Sequence, residues 1–332
     1  MAANNSVKGS QSLERGEQQG KGFLSSAGRL IARNGLIVGF ILIVIILSIL
    51  EPQSFPKLSN IVNIVRQVSI NGILAVGETF VILLGGIDLS VGSGVALSGV
   101  MAAGLQEYGA IVVFLVPIFT LCLAGFVNGM VITRFKVPPF VITLGMMTIL
   151  RGFTFLLTGG KSIYNLPKWF KVVGQGDAFG VPVPIIVLVL VIVLGYIVLQ
   201  QTRFGRYVYA IGGNEEGARL SGVRTKTITL WCYVICGGCA GLAGVVLASR
   251  LNAGEPVAGT GYELDAIAAV VIGGTSLAGG QGSVIGTLIG ALVIGVINNG
   301  LNLLNVHSYW QMVAKGLIIV LAVIIDQLKT QR

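Results

Sequence analysis

Long apolar segments alternate with short polar connections along nearly the whole chain. Each segment approaches the length of about 20 apolar residues that one helical membrane crossing needs. The pattern predicts an all-α fold, a polytopic membrane helix bundle of about ten transmembrane helices, some of them broken. The predicted spans are residues 36–50, 61–84, 91–108, 110–133, 139–158, 182–200, 227–248, 263–280, 283–304 and 308–325.

Composition supports lipid as the main solvent of this protein. Of 332 residues, 54% are hydrophobic and 11% are charged, whereas soluble domains contain about 25% charged residues. The formal net charge is +9, which in a soluble protein would suggest a nucleic-acid partner. In a membrane protein, basic connections set the orientation, so membrane lipid is the expected environment and no nucleic acid is expected to bind.

Basic residues concentrate in alternate connections, which sets the predicted orientation. If the first span enters from the cytoplasm, the cytoplasmic segments contain Lys8, Arg15, Lys21, Arg29, Arg33, Arg134, Lys136, Arg203, Arg206, Arg219, Arg224, Lys226, Lys329 and Arg332. The connections on the other side contain only Lys57, Lys161, Lys168, Lys171 and Arg250. Both termini and the polar loop 201–226 are therefore predicted to be cytoplasmic.

The chain divides into a short leader and one domain. Residues 1–30 are expected to be a disordered cytoplasmic leader, because a stretch rich in Gly, Ser, Gln and Glu cannot bury a core. No A-x-A cleavage pattern follows the first apolar run, so a retained first helix is favoured over a signal peptide. Residues 31–332 are expected to form a single transmembrane domain that carries the loop 201–226.

The loop 201–226 contains a short predicted helix with its own start and stop signals. Asn214 is a good N-cap, acidic residues occupy the first turn, and Gly222 is a stop signal. A helix of about two turns is marginal in water, so either the membrane bundle or another protein must hold it. The predicted contact surface consists of Asn214, Glu215, Glu216, Gly217, Ala218, Arg219, Leu220, Ser221 and Gly222.

Two segments interrupt the pattern of simple spanning helices. Residues 83–99 and 271–287 each run from an apolar helix through Gly-Gly into a helix rich in small residues. Gly85-Gly86 and Gly273-Gly274 align at an offset of 188, which makes an internal duplication one explanation. Non-helical backbone at membrane depth occurs where it is buried in protein or lines a path, and paired breaks indicate a translocation path.

Polar side chains at these depths have more than one interpretation. Glu78 and Asp88 contact a polar solute, or form an ion pair with Arg66 or Arg151, or, for Asp88, accept backbone N–H groups of the broken segment. Amides on apolar helices bind hydroxylated solutes or neighbouring helices. The residues predicted to line the path are Gly85, Gly86, Asp88, Ser90, Ser93, Asn128, Gly273, Gly274, Asn298 and Asn299.

No catalytic or metal site is predicted. Cys232 and Cys236 lie one turn apart without a nearby histidine, so packing is favoured over metal ligation. His307 is the single histidine and has no placed nucleophile. The pair Lys161-Ser162 follows a glycine, but Phe155 occupies the position where a phosphate-binding loop needs its first glycine.

Four motifs together resemble the ribose-type permeases of bacterial ABC sugar importers. They are GGIDLSVGS (Gly85–Ser93), GRYVYAIGGNEEGARLSGV (Gly205–Val223), GTGYELDAIAAVVIGGTSLAGGQGS (Gly259–Ser283) and GTLIGALVIGVINNGLNLL (Gly286–Leu304). The resemblance extends from about residue 30 to the end of the sequence, so 31–332 would be a permease domain of the ABC importer type.

The resemblance implies a bacterial inner-membrane subunit that is not itself an enzyme. Two copies would pair, bind a cytoplasmic ABC ATPase through the helix in loop 201–226, and receive sugar from a periplasmic binding protein. ATP and Mg would be bound by the ATPase, with no cofactor in this chain. Ribose is the first candidate among sugars, and Lys161, Lys168, Lys171 and Arg250 are the candidate docking residues for the binding protein.

Two other classes of protein stay open at this point. An ion-gradient-driven secondary transporter also uses broken helices, and it would need coupling groups such as Glu78 and Asp88. A membrane-embedded enzyme is the third class, and the absence of a placed His, Cys or metal cluster in the sequence weakens it.

Overall fold

A computed structural model describes residues 35–330, so the predicted leader 1–30 lies outside the described residues. The described chain is 77% helical, with helices at all ten predicted spans. The helices are α1 (Gly35–Leu50), α2 (Leu58–Ile82), α3 (Val91–Gly104), α4 (Ala110–Phe135), α5 (Pro139–Thr158), α6 (Lys168–Gln175), α7 (Val183–Tyr196), α8 (Arg203–Gly213), α9 (Glu215–Leu220), α10 (Thr225–Leu251), α11 (Tyr262–Ile272), α12 (Val284–Leu303) and α13 (Ser308–Thr330). The all-α bundle is thereby confirmed.

Two of the predicted spans are shorter in the structure than the sequence indicates. Helix α3 has 14 residues and α11 has 11, so neither reaches the about 20 residues that a crossing needs. The predicted span 91–108 is therefore corrected to an α-helix that ends at Gly104, and the predicted span 263–280 to a helix of about half the crossing length that ends at Ile272. Helix α3 is followed by a 3₁₀ turn at Gln106–Tyr108, whereas α11 continues into an irregular segment that begins with Gly273 and Gly274.

Helix α10 lies at the centre of the bundle and packs against α2, α3 and α4. In the most apolar stretches, 61% of α10 is buried, against 22% of α4 and 17% of α5. Helices α4 and α10 approach closely because Gly125 has no side chain: a Cβ there would lie 2.1 Å from the Tyr233 carbonyl oxygen. Close backbone contact through small residues is how membrane helices associate.

One end of the bundle, called the α6 end, is covered by short elements. Strands β1 (Ile163–Tyr164) and β4 (Ala253–Gly254) pair antiparallel, as do β2 (Asp177–Ala178) and β3 (Val181–Pro182). Helix α6 packs on the last turns of α10, where the Gly174 N–H donates to Ser249 Oγ at 2.7 Å. Ser249 Oγ in turn donates to the Phe170 carbonyl at 2.5 Å.

The opposite end, called the α9 end, contains α8 and α9. Helix α7 continues into a π-helical turn at Ile197–Gln201, after which Thr202 caps α8 by accepting from the Gly205 N–H. Glu216 on α9 lies in the electrostatic field of Lys136, which places α9 beside the connection between α4 and α5.

Candidate functional site

The predicted cap of α9 is confirmed. Asn214 Oδ1 accepts from the Gly217 N–H at 2.8 Å, which satisfies one of the free donors at the helix start. The helix ends at Leu220, two residues before the predicted stop signal at Gly222. Gly222 has φ 85°, and the Val223 N–H bonds to the Ala218 carbonyl at 3.0 Å, which is the Schellman stop.

The exposed surface of α9 differs from the predicted one at two residues. Ala218 belongs to the predicted contact surface, but it is buried in this chain. Arg219 also belongs to that surface, but it pairs with Glu216, with Nη2 to Oε1 at 2.5 Å and Nε to Oε2 at 3.0 Å. Leu220, at 76% exposed, is the large apolar side chain that α9 presents to solvent.

The Arg219–Glu216 pair has a defined electrostatic effect. The hydrogen bond from Arg219 holds the pKa of the Glu216 carboxyl below its ordinary value. The contribution of the pair to helix stability is therefore present at neutral pH and is lost as the pH falls through the lowered pKa.

Helix α8 connects α9 to both broken segments, a connection that sequence reasoning missed. The Tyr209 hydroxyl donates to the Gly282 carbonyl at 2.9 Å, and the Gly280 N–H donates to the Leu83 carbonyl at 2.9 Å. A Cβ at Gly212, near the end of α8, would lie 1.8 Å from the Leu83 oxygen and 2.4 Å from the Gly280 nitrogen. Backbone from three distant parts of the chain therefore meets at one place, called the glycine junction (Leu83, Gly212 and Gly280).

The first break (residues 83–90) and the second break (residues 273–283) begin with the same backbone turn. Gly85 has φ 75° and Gly274 has φ 90°, and each follows the last turn of its helix. The next residue bonds five positions back, Gly86 to Val81 and Thr275 to Val270, which is again a Schellman motif. The structural equivalence joins Gly85 to Gly274 and so corrects the predicted alignment by one residue.

The first break is held by two buried carboxylates. Glu78 Oε1 accepts from the Asp88 N–H at 2.8 Å. Asp88 Oδ1 accepts from the Ser90 N–H at 2.9 Å and from Ser90 Oγ at 2.5 Å. Asn128 Nδ2 reaches Ser90 Oγ at 3.3 Å, and Ser93 Oγ donates to the Ser90 carbonyl at 2.9 Å. All these side chains are buried, and in this conformation they bind backbone and side chains of the protein itself.

One of the three interpretations of the carboxylates is confirmed and another is wrong. Asp88 accepts a backbone N–H within the broken segment, as one interpretation predicted. The ion pair with Arg66 or Arg151 does not form. Arg66 pairs with Asp177 at 2.8 Å, and Arg151 Nη1 donates to the carbonyls of Pro256 and Ala258.

The remaining path candidates lie in other places. Gly273 packs on Gly286, where α11 ends and α12 begins. Asn298 Nδ2 donates to Asp265 Oδ2 at 3.3 Å, and Lys315 pairs with the same oxygen at 3.0 Å. Asn299 and Asn60 exchange two amide hydrogen bonds at 2.9 and 3.0 Å. The predicted path residues are therefore divided between the two breaks, which meet at the glycine junction, and α12, where Asn298 and Asn299 have different partners.

A third break was missed because it looks like an ordinary loop. Residues 252–261 were assigned to an external connection, but the structure places them against α3. Gly254 packs on Ala103 near one end of α3, and Gly259 packs on Gly92 near the other. The glycines and turn residues of this segment signal a loop, but its burial depends on α3, which is far away in sequence.

No metal centre is formed by the described residues, since none of their His, Cys, Asp and Glu side chains gather in groups of three or more that could hold an ion. The four cysteines are free thiols.

Comparison with known proteins identifies the family. Residues 60–323 match the family described as branched-chain amino acid transport system / permease component. The chain belongs to this permease family. It is 47% identical over 300 residues to the ribose import permease protein of Bacillus subtilis (strain 168), covering 89% of this chain and 93% of that protein.

Further relatives of the permease agree with the resemblance that its motifs indicated. The ribose import permease protein of Escherichia coli (strain K12) is 45% identical over 302 residues, covering 88% of this chain and 93% of that protein. The D-allose transport system permease protein of the same organism is 40% identical over 290 residues, covering 86% and 89%. No solved structure matches. The permease is a multi-pass membrane protein, with five described helices long and apolar enough to cross.

The permease brings its four candidate docking residues to the α6 end. Lys161 follows α5, Lys168 and Lys171 lie on α6, and Arg250 is at the end of α10. Arg250 donates to Asn63 Oδ1 at 3.1 Å, whereas Lys161 and Lys168 are exposed. Their docking role stays a prediction.

Proposed function

We propose that this permease is the membrane subunit of an ATP-binding-cassette importer that moves a monosaccharide into the cytoplasm, with ribose as the first candidate. Support comes from relatives named for ribose and D-allose transport that align with nearly the whole chain. In this proposal the chain hydrolyses nothing, and ATP and Mg bind to a separate ATPase subunit.

The observation that carries the proposal is the connection from α9 to the breaks. Helix α9 has 6 residues, too few to be stable alone in water, yet both its ends are capped. It is followed along the chain by α10 and preceded by α8, which contacts both breaks at the glycine junction. A short helix with both ends capped is suited to bind a partner protein and to transmit the partner's movement to the membrane bundle.

The assembly follows from the two ends of the bundle. The α9 end faces the cytoplasm, in agreement with its basic residues, and there it contacts the ATPase. The α6 end faces a periplasmic sugar-binding protein, with Lys161, Lys168, Lys171 and Arg250 as docking residues. A second copy completes the path, the bacterial inner membrane surrounds it, and both termini are cytoplasmic.

The mechanism needs no covalent chemistry on the sugar. Closure of the ATPase moves α9, and α8 passes this movement to Leu83 and Gly280 at the glycine junction. The first and second breaks then shift relative to each other, and the path opens on one side at a time. Packed elements with two discrete arrangements transmit such movements.

The test changes the exposed surface of α9. Leu220→Glu and Arg219→Glu are expected to reduce ATPase co-purification and ATP-driven uptake into proteoliposomes severalfold. The double variant Glu216→Arg with Arg219→Glu is the matched control, because it restores the ion pair within the helix while reversing its surface. If the single Arg219→Glu variant fails and the control works normally, α9 only lost helix stability and its contact role is wrong. Ala218 is left unchanged in this test, because it is buried in the chain itself.

The alternative, an ion-gradient-driven transporter, is favoured by one observation only. Glu78 and Asp88 are buried carboxyl groups without a cationic partner among the described ion pairs. A proton-coupled transporter would use buried, unpaired carboxyl groups of this kind. Vesicles with internal ATP, the ATPase and the binding protein, but no ion gradient, separate the two functions. Uptake under these conditions is expected, and uptake that instead needs a gradient would contradict the proposal.

A further inference from the structure

The third break brings irregular backbone to the middle of the bundle. Its Gly254 and Gly259 pack on Ala103 and Gly92, which lie about 16 Å apart along α3 at 1.5 Å per residue. This distance is about half of the ~30 Å hydrocarbon thickness. The segment therefore enters from the α6 end and reaches about half the depth, where α11 begins.

Two side chains of opposite charge lie at this depth. Arg151 is on α5, about 10 Å from the end of that helix at Thr158, and its Nη1 donates to the carbonyls of Pro256 and Ala258 at 2.8 and 3.1 Å. Glu263 is in the first turn of α11 and interacts electrostatically with Arg151.

The two charges are close but not joined. Among the ion pairs of residues 35–330 none joins Arg151 to Glu263, so their N and O atoms are more than 4.0 Å apart. Both side chains are partly exposed. Charged groups at membrane depth face a partner or a water-filled cavity rather than lipid. The exposed atoms of Arg151 and Glu263 are therefore not expected to face lipid.

The side of α5 that carries Arg151 is mixed in character. Thr148 is exposed there, and so are the apolar side chains of Leu144 and Phe155 at helical spacing from it. Ile149 and Phe153, which are 51% and 53% exposed, lie on the opposite side of the helix from Arg151.

We propose that Arg151 and Glu263 form a hydroxyl-binding point on the path of the solute, through the half of the membrane at the α6 end. The two bonds to carbonyls use Nη1 only, so Nε and Nη2 keep N–H groups that donate to hydroxyl oxygens. The Glu263 carboxylate accepts from hydroxyl hydrogens. A monosaccharide has hydroxyl groups on neighbouring carbons, and each hydroxyl offers an oxygen acceptor and a hydrogen donor. Because Arg151 and Glu263 are partly exposed, water can replace the sugar when it leaves. This inference rests on the proposed sugar-import function.

The first experiment measures uptake and ATP hydrolysis together in proteoliposomes containing the ATPase and the binding protein. Glu263→Gln keeps the shape of the side chain, and Arg151→Lys keeps the charge but loses the planar fork. Each is expected to lower ribose uptake about tenfold or more, while hydrolysis stimulated by the binding protein stays within about twofold. Arg66→Gln, which removes another partly exposed arginine from the membrane domain, is the matched control and is expected to change neither.

Either of two results would overturn this inference. One is normal uptake by Glu263→Gln, and the other is equal loss of uptake and stimulated hydrolysis, which would mean a role in assembly. Lack of any ATP-driven uptake by the unchanged protein would instead refute the proposed function itself.

The second experiment needs no transport and tests the surface directly. Thr148→Cys and Phe153→Cys are labelled with a water-soluble maleimide in liposomes, with the unchanged protein as background for its native thiols. Thr148→Cys is expected to react, and more slowly with high ribose concentrations, whereas Phe153→Cys is not. An unreactive Thr148→Cys, or a disulfide between two copies through it, would show lipid or a subunit contact there and would overturn the inference.

Discussion

In the first and third breaks, side chains of opposite charge form the hydrogen bonds of irregular backbone at membrane depth. In the first break, the carboxylates of Glu78 and Asp88 accept N–H groups of residues 88 and 90. In the third break, the guanidinium of Arg151 donates to the carbonyls of residues 256 and 258. Each segment therefore has the side chain that its free backbone groups require, since an unpaired buried polar group is costly.

The charged side chains of the two breaks differ in burial, and this difference indicates different roles. Glu78 and Asp88 are completely enclosed and bind only their own chain, as parts that fix a backbone shape do. Arg151 and Glu263 are partly open and keep hydrogen-bonding capacity. We infer that the first break acts as a rigid element moved by α8, while the third break faces the solute.

The largest expected effect is that of a side chain at Gly259 in the third break. A Cβ there would lie 2.2 Å from the Gly92 carbonyl oxygen, and Gly259 has φ 72°. Gly259→Val is expected to prevent α3 and the third break from packing, because the added side chain collides with Gly92. The positive φ adds a backbone cost of about 1–3 kcal/mol for a residue other than glycine. Size-exclusion profiles and thermal unfolding in detergent measure this.

The control for Gly259→Val is Gly261→Val. Gly261 has φ 82° but no atom within 4 Å of its Cβ position, so this variant has the strain without the collision. Equal loss of folded protein in both variants would show that close packing on α3 is unimportant.

The second effect is that of Glu78 in the first break. Glu78→Ala leaves the Asp88 N–H without its acceptor and is expected to cost about 1–3 kcal/mol, measured as a lower thermal midpoint. Glu78→Gln keeps an oxygen acceptor and is expected to lose much less. An equal loss in Gln and in Ala would mean that the charge of Glu78, which both variants remove, and not its hydrogen bond, holds the break.

The smallest effect is expected at the second break. Gly274 has φ 90° and open space at its Cβ position, so Gly274→Ala meets only backbone strain and is expected to cost about 1 kcal/mol.

Gly86 is different, because a Cβ there would lie 2.6 Å from the Tyr233 hydroxyl. Val at either position is expected to reduce sugar uptake while the ATPase stays bound, and normal uptake by both would contradict this role.

Local features of the fold could be predicted from the sequence. Helix α5 has the predicted bounds 139–158, because Pro139 and Gly159 mark its start and its end. The cap at Asn214 and the breaks at Gly85 and Gly274 also follow from local residue types. Each of these signals acts within a few residues of the position that it determines.

Long-range contacts could not be predicted. The amides of Asn298 and Asn299 were correctly placed on an apolar helix, but their partners Asp265 and Asn60 depend on packing between helices. The third break has the composition of a surface loop, and its burial comes from packing against α3, which is distant in sequence. The roles of Tyr209 and Gly212 likewise depend on backbone that is distant in sequence.

The hydrogen bond between Leu83 and Gly280 also sets an order for biosynthesis. The two residues are about 200 positions apart, and a ribosome adding ~5–20 residues per second needs roughly 10–40 seconds between them. Throughout that interval the Leu83 carbonyl is without its Gly280 partner. The α9 end of this protein is therefore completed only after Gly280 has been synthesised, and a ribosome that stalls before Gly280 leaves the glycine junction incomplete.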